Sequence, residues 1–208
     1  MKKRIQLVNL PFYTQRMTAE NWQEEGFSSL AEAESWSGRG CGIASLRMVL
    51  DGLGCACGGH WEMISKGLAA GAYKEGVGWI HGKLAEMAGN YGVFGEAKRG
   101  KNLADLQKDL ENGFVCIASV TPYFRFGQQK PDGSFYGKGG HLVLCMAVKQ
   151  KGERQPIFCF TIPPCMRNIT CPIGQLPPRS WNLLFPAIIS VFEKLALYGR
   201  QQRQTPLS

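Results

Sequence analysis

The sequence predicts an α+β fold, and two observations carry that expectation. Between residues 41 and 113 apolar side chains recur at helical spacing, in stretches closed by glycine. From residue 114 onward the period changes to short apolar runs bounded by turn residues, which read as buried strands. Helices first and an antiparallel sheet afterwards is the layout in which helices gather on one side of the sheet. A chain of 208 residues fits one medium domain, here 1–195, followed by a polar tail over 196–208. At this size roughly 70% of the unfolded surface becomes buried, so a core forms without covalent staples.

The elements follow in order. Residues 4–14 (RIQLVNLPFYT) read as a short strand ending at Pro11, and residues 16–37 as a long polar surface loop with one helical turn near 29–35. Ile43, Leu46, Val49, Leu50 and Leu53 then mark a helix that starts at Cys41, with Gly54 as the left-handed residue past its end. Further helices are predicted over 59–70 and 78–91, the latter with Ile80, Leu84, Met87 and Tyr91 on one face. Another spans 102–113, where Asn102 caps and Leu103, Leu106 and Leu110 share a side. Strands are predicted over 114–120, 141–148, 156–162 and 187–192, with a hairpin turn over 149–155.

Composition narrows the function classes. Hydrophobic residues make up 44% and charged residues 19%, ordinary for a soluble globular chain. The net charge is +8, partly at the ends, and no basic stripe with interleaved aromatics occurs, so nucleic acid is not the expected partner. No run approaches the ~18 apolar residues of a membrane span, and the basic start is broken by Asn9 and Pro11 before it can form a signal segment. Eight cysteines, several of them inside apolar runs such as LVLCMAV, point to reduced thiols and a cytoplasmic setting.

Chemistry concentrates at Cys41. A thiol attacks as its thiolate, and a helix N-terminus or a neighbouring imidazolium lowers the thiol pKa. Cys41 lies at a predicted helix start, ahead of the apolar stripe, between Gly40 and Gly42, which permit a tight turn and close approach of a substrate backbone. Of the three histidines, His60 and His81 fall within helices and read as exposed or partly packed. His141 follows Gly139-Gly140 at a loop-to-strand junction, where a base is held yet reachable. A metal is not expected: Cys55, Cys57, His60, Cys165 and Cys171 include no C-x-x-C pair.

Several blocks in order over residues 8–192 carry a family resemblance: LPFYTQ (10–15), CGIASLRMVL (41–50), GVGWIHGKLAEMAGNYG (76–92), NLADLQKDLENGFVCIASV (102–120) and GGHLVLCMAV (139–148). In this order they resemble the bacteriocin-processing, double-glycine-leader type of papain-like cysteine peptidases, in its stand-alone bacterial branch. The resemblance implies a papain-like fold, an N-terminal helical lobe with Cys41 packed on a C-terminal antiparallel sheet with His141, and a site in the groove between. It also implies Cys41 as nucleophile, His141 as base and Gln15 as the oxyanion-binding amide, acting on a peptide or protein substrate without a cofactor. One departure stands out. The family's strand after the histidine ends in an acid that orients the imidazole, whereas here it ends FTIPP with Ile162 in that place. Thr161 and Asn168 are the alternatives, and slowed turnover is the expectation. A catalytically inactive peptide-binding module, or acyl transfer to an amine, remains open on the same scaffold.

Overall fold

The computed structural model describes residues 11–101, 103–112, 114–120, 140–148, 157–161, 169–170 and 187–194. Among the described residues five helices precede most of the sheet: α1 Leu30–Ser37, α2 Cys41–Gly52, α3 His60–Ala69, α4 His81–Gly89 and α5 Leu103–Glu111. The strands are β1 Tyr73–Lys74, β2 Gly78–Trp79, β3 Val93–Ala97, β4 Val115–Val120, β5 His141–Val148, β6 Ile157–Thr161, β7 Ile169–Thr170 and β8 Ala187–Lys194. β1 and β2 form a small hairpin, and the remaining six make an antiparallel sheet in the order β3-β8-β4-β5-β6-β7. The α+β class expected from the sequence is therefore observed.

α2 is the centre of the molecule. Its residues from Cys41 to Leu50 are all buried, including Ser45 and Arg47, so it is no half-exposed amphipathic helix. The helix stops where the sequence says it should. Gly54 takes φ +72°, Gly54 N donates to Asp51 O at 2.8 Å, and Cys55 N donates to Leu50 O at 2.9 Å. These two bonds satisfy carbonyls that a helix end otherwise leaves without partners. One apolar core joins Ile43, Leu46 and Leu50 of α2 to Met63 and Ile64 of α3, Leu84 of α4, and Val115, Ile117, Leu142 and Leu144 of the sheet.

Three expectations need correction. Within the stretch 16–37 the single helical turn expected near 29–35 is a complete helix: α1 is capped by the Ser29 side chain on Glu32 N, and it buries Ala33 and Trp36. Polar residues dominate its exposed face and hid its short apolar one. The helix predicted from 78 begins at His81, because Gly76 and Gly78 adopt φ +73° and +95° and Trp79 pairs with Tyr73 in the hairpin. Residues 11–14 join no strand, while 4–10 and the turn at 149–155 lie outside the described residues. β3 went unread because its partner β8 lies nearly a hundred residues away, and five residues with a central glycine give a weak local signal.

Aromatic packing fixes how α2 meets α3. Trp79 is buried, and a Cβ placed on Gly42 of α2 would lie 2.6 Å from its Cγ. A Cβ placed on Gly67 of α3 would lie 2.6 Å from the indole's Cζ3. One flat ring thus fills the space that two helical glycines leave between them. Trp36 and Tyr73 continue the cluster, with ring centroids 5.2 Å apart and Tyr73 a further 5.2 Å from Trp79.

Candidate active site

The turn that presents Cys41 is built from both sides. α1 ends at Ser37, and Arg39 N and Gly40 N both return to Trp36 O at 2.9 Å, so the chain reverses within three residues into α2. Trp79 Nε1 donates to Arg39 O at 2.7 Å, and the Arg39 guanidinium lies 4.2 Å over the Trp36 ring while pairing with Glu75 at 3.2 Å. Gly40 has φ −76° and ψ 0°, a conformation open to any residue, and Gly42 is helical. The two glycines are therefore not needed for a tight turn, as the sequence had suggested. They are needed because protein side chains occupy their Cβ positions: Trp79 at Gly42, and His60 Nε2 at 2.5 Å from a Cβ on Gly40.

Gln15 arrives from a distant segment. Tyr13 donates its hydroxyl to the Asp51 carboxylate, which pushes the phenol pKa up to about 12, and the Arg47 guanidinium lies 4.0 Å over the Tyr13 ring. These contacts lay residues 11–17 along α2. Gln15 Nε2 then donates to Ser37 O at 2.8 Å, and Met17 N donates to Ser37 Oγ at 2.9 Å. Gln15 is buried, and its Cβ lies 3.4 Å from a Cβ placed on Gly40. Its position beside the Cys41 turn is thus set by two tethers, at Tyr13 and at Ser37.

His141 is the first residue of β5, half-buried and paired in register with Val120. The next residue connects it to α2. Ser45 Oγ donates to Leu142 O at 3.3 Å, and the Leu142 backbone N–H faces the Cys41 sulfur. Both backbone polar groups of Leu142 therefore turn toward α2. Ser45 was not singled out in the sequence, although its place four residues after Cys41, on one helix face, was a usable signal.

The electrostatics of Cys41 differ from expectation. The thiol is buried, and burial pushes its pKa up, while the N–H groups of Leu142, Gly42 and Cys41 itself pull the other way. Loss of water outweighs the helix start, so the net shift is upward. A nucleophilic role for such a thiol would call for a base that removes its proton during the reaction. Ile162 and Asn168, named from the sequence in connection with the orientation of His141, lie outside the described residues.

His60 also departs from its reading as an exposed or partly packed helix residue. It is fully buried, and burial lowers its pKa to about 3, with the Arg47 charge adding to the effect. Its place is fixed by Glu25, whose carboxylate accepts from His60 N at 2.8 Å and whose carbonyl accepts from Trp61 N at 3.0 Å. These bonds cap α3, since Gly59 has no side chain to do so. Glu25 also pairs with Arg47 at 2.7 Å. No sequence signal pointed to this burial, which depends on residue 25 folding back across α2 and α3.

Among the described residues no group of three or more His, Cys, Asp or Glu side chains is placed to hold a metal ion. Cys57 instead faces Asp51, with Sγ 3.7 Å from the carboxylate, and Cys165 and Cys171 lie outside the described residues. No described helix is long and apolar enough to cross a membrane. Comparisons with protein-family models, with curated proteins and with solved structures return no match.

Proposed function

We propose that the chain is a papain-like cysteine peptidase of the bacteriocin-processing type, hydrolysing a peptide or isopeptide bond through a thioester acyl-enzyme. The observation that carries this reading is convergence on the first turn of α2 from three separate segments. Cys41 opens the helix, the residue after His141 turns its N–H to the Cys41 sulfur, and Gln15 is buried beside Gly40. In this reading His141 takes the proton from the Cys41 thiol as the sulfur attacks the carbonyl carbon. The Gln15 amide and the Cys41 N–H receive the developing oxyanion, and the proton passes to the leaving amine. Water then hydrolyses the thioester. Each oxyanion donor contributes about 3–4 kcal/mol to such a step. No cofactor takes part.

Acylation by a p-nitrophenyl ester, read by mass spectrometry of the intact chain and its fragments, tests the reading. The expected result is one acyl group on Cys41, none on Cys41→Ala, and a rate lowered about a hundredfold or more in His141→Ala. Equal labelling of all eight cysteines would overturn it.

A second reading is favoured by the raised thiol pKa together with Ile162 in the family's acid position. It holds that the same fold binds peptides without turnover. A Cys41-linked acyl group formed from a peptide library and abolished by Cys41→Ala would eliminate it.

A further inference from the structure

The proposed mechanism leaves a fully buried histidine unused beside the nucleophile. Among the described residues His60 Nδ1, His60 Nε2 and Gln15 Oε1 are buried without a hydrogen-bond partner. All three belong to side chains that crowd Gly40: Nε2 lies 2.5 Å and Gln15 Cβ 3.4 Å from the same added Cβ. The Gln15 amide cannot be turned over, because its Nε2 donates to the Ser37 carbonyl at 2.8 Å and an oxygen there would face an oxygen. Oε1 therefore requires a donor. An unpaired buried polar atom costs about 1–3 kcal/mol, and internal water commonly supplies the missing bond, making about three contacts.

We propose that His60 is a positioning residue for the oxyanion site: its Nε2–H donates to an internal water beside Gly40, and that water donates to Gln15 Oε1. This rests on the reading of Gln15 as the oxyanion-binding amide. The chain of bonds orients the Gln15 carboxamide so that one amide hydrogen stays on Ser37 and the other is presented to the oxyanion. His60 suits the task because burial keeps the ring neutral over the working pH range, so it donates without competing with His141 as a base. The lone pair on Nδ1 is left over, a smaller cost than an orphaned N–H.

Two probes separate this role from simple support of the fold. Acylation of Cys41 by p-nitrophenyl acetate passes through an oxyanion, whereas alkylation by iodoacetamide does not. His60→Leu should slow acylation about tenfold, less than full loss of a donor, while alkylation is unchanged. His60→Gln, whose amide N–H can stand in for Nε2–H, should recover most of the loss. Both reactions falling together, or neither, would overturn the proposal. A parent protein that is alkylated but never acylated at Cys41 would remove the peptidase reading itself. The His60–Gln15 link is then decided alone by nitrogen-15 NMR of the parent, where three histidines keep the imidazole spectrum simple. The expected signature is an Nε2–H tautomer whose shifts move in Gln15→Leu. An Nδ1–H tautomer, or shifts indifferent to Gln15, would overturn it, whatever the fate of the His60 variants.

Discussion

Gly40 and Gly42 flank one cysteine, yet the side chains that crowd them are opposites. At Gly42 the neighbour is Trp79, an indole whose single N–H is already bonded to Arg39 O at 2.7 Å. At Gly40 it is His60, a ring with both nitrogens buried and unpartnered among the described residues. The first contact is saturated and apolar, as expected of a part that holds shape. The second keeps unused hydrogen-bonding capacity in a place where that capacity is costly. Equal crowding therefore does not mean equal purpose: one side of the turn is a wall, the other a polar support for Gln15.

The largest effect should come from removing the wall. Trp79→Ala empties the space shared by Gly42 and Gly67 and takes the donor from Arg39 O. A loss of about 3–5 kcal/mol is expected in denaturant unfolding. A loss below about 1 kcal/mol would mean that the helices close over the gap and that the indole holds nothing.

Adding a methyl group sharpens the contrast. An alanine at 42 would meet Trp79 at Cγ, Cδ1 and Cβ, the root of the side chain, which cannot swing away without moving its backbone. An alanine at 40 would meet His60 at Nε2 and Cε1, the far end of its ring. Overpacking of this kind costs about 1–3 kcal/mol, and Gly42→Ala should lie nearer the top of that range than Gly40→Ala. Helix propensity works against the result, since alanine in place of a helical glycine gains about 1 kcal/mol. The Gly40→Ala cost should shrink when combined with His60→Ala, because truncation frees the contested space. Strict additivity of the two substitutions would show that the contact is not where the strain arises.

How much of this could be read beforehand depended on how local the cause is. α2 was legible to the residue at its start, and its end at Gly54 followed from a left-handed position that glycine fills at no cost. Leu106 and Leu110 of α5 are buried as their spacing implied. Trp79 misled, because a Gly-x-Gly-Trp run ahead of a periodic segment looks like a helix approach until Tyr73 pairs with it. At the candidate site, the places of Cys41 at a helix start and of His141 at a strand start were legible from glycine-flanked runs. Gln15 was reachable only through family resemblance, since Tyr13 and Ser37 bring it in through contacts far apart in sequence. The tenants of the glycine spaces, His60 and Trp79, were illegible for the same reason. A missing side chain says that something comes close but not what.

The last comparison isolates the polar side of the turn by titrating it. Unfolded, His60 gains its proton near the ordinary 6.5; folded, it resists protonation down to about 3. Between these values the unfolded chain binds a proton that the folded chain does not, so stability falls as pH falls through that window. The contribution is complete above about 6.5 and lost progressively below it. The slope approaches about 1.4 kcal/mol per pH unit in the middle of the window. Arg47 acts in the same direction through its charge, and Glu25, bonded to His60 N and paired with Arg47, is the carboxylate on the opposing side. Because other groups titrate over the same range, the informative quantity is a difference. Urea unfolding of the parent and of His60→Gln at a series of pH values between 6.5 and 4 should give a shallower loss for the variant, whose amide takes no proton there. Trp79→Phe, which alters the other wall without a titratable group, should keep the parent slope. Equal slopes for parent and His60→Gln would mean that His60 is protonated in the folded protein and that the polar side of the turn is open to water.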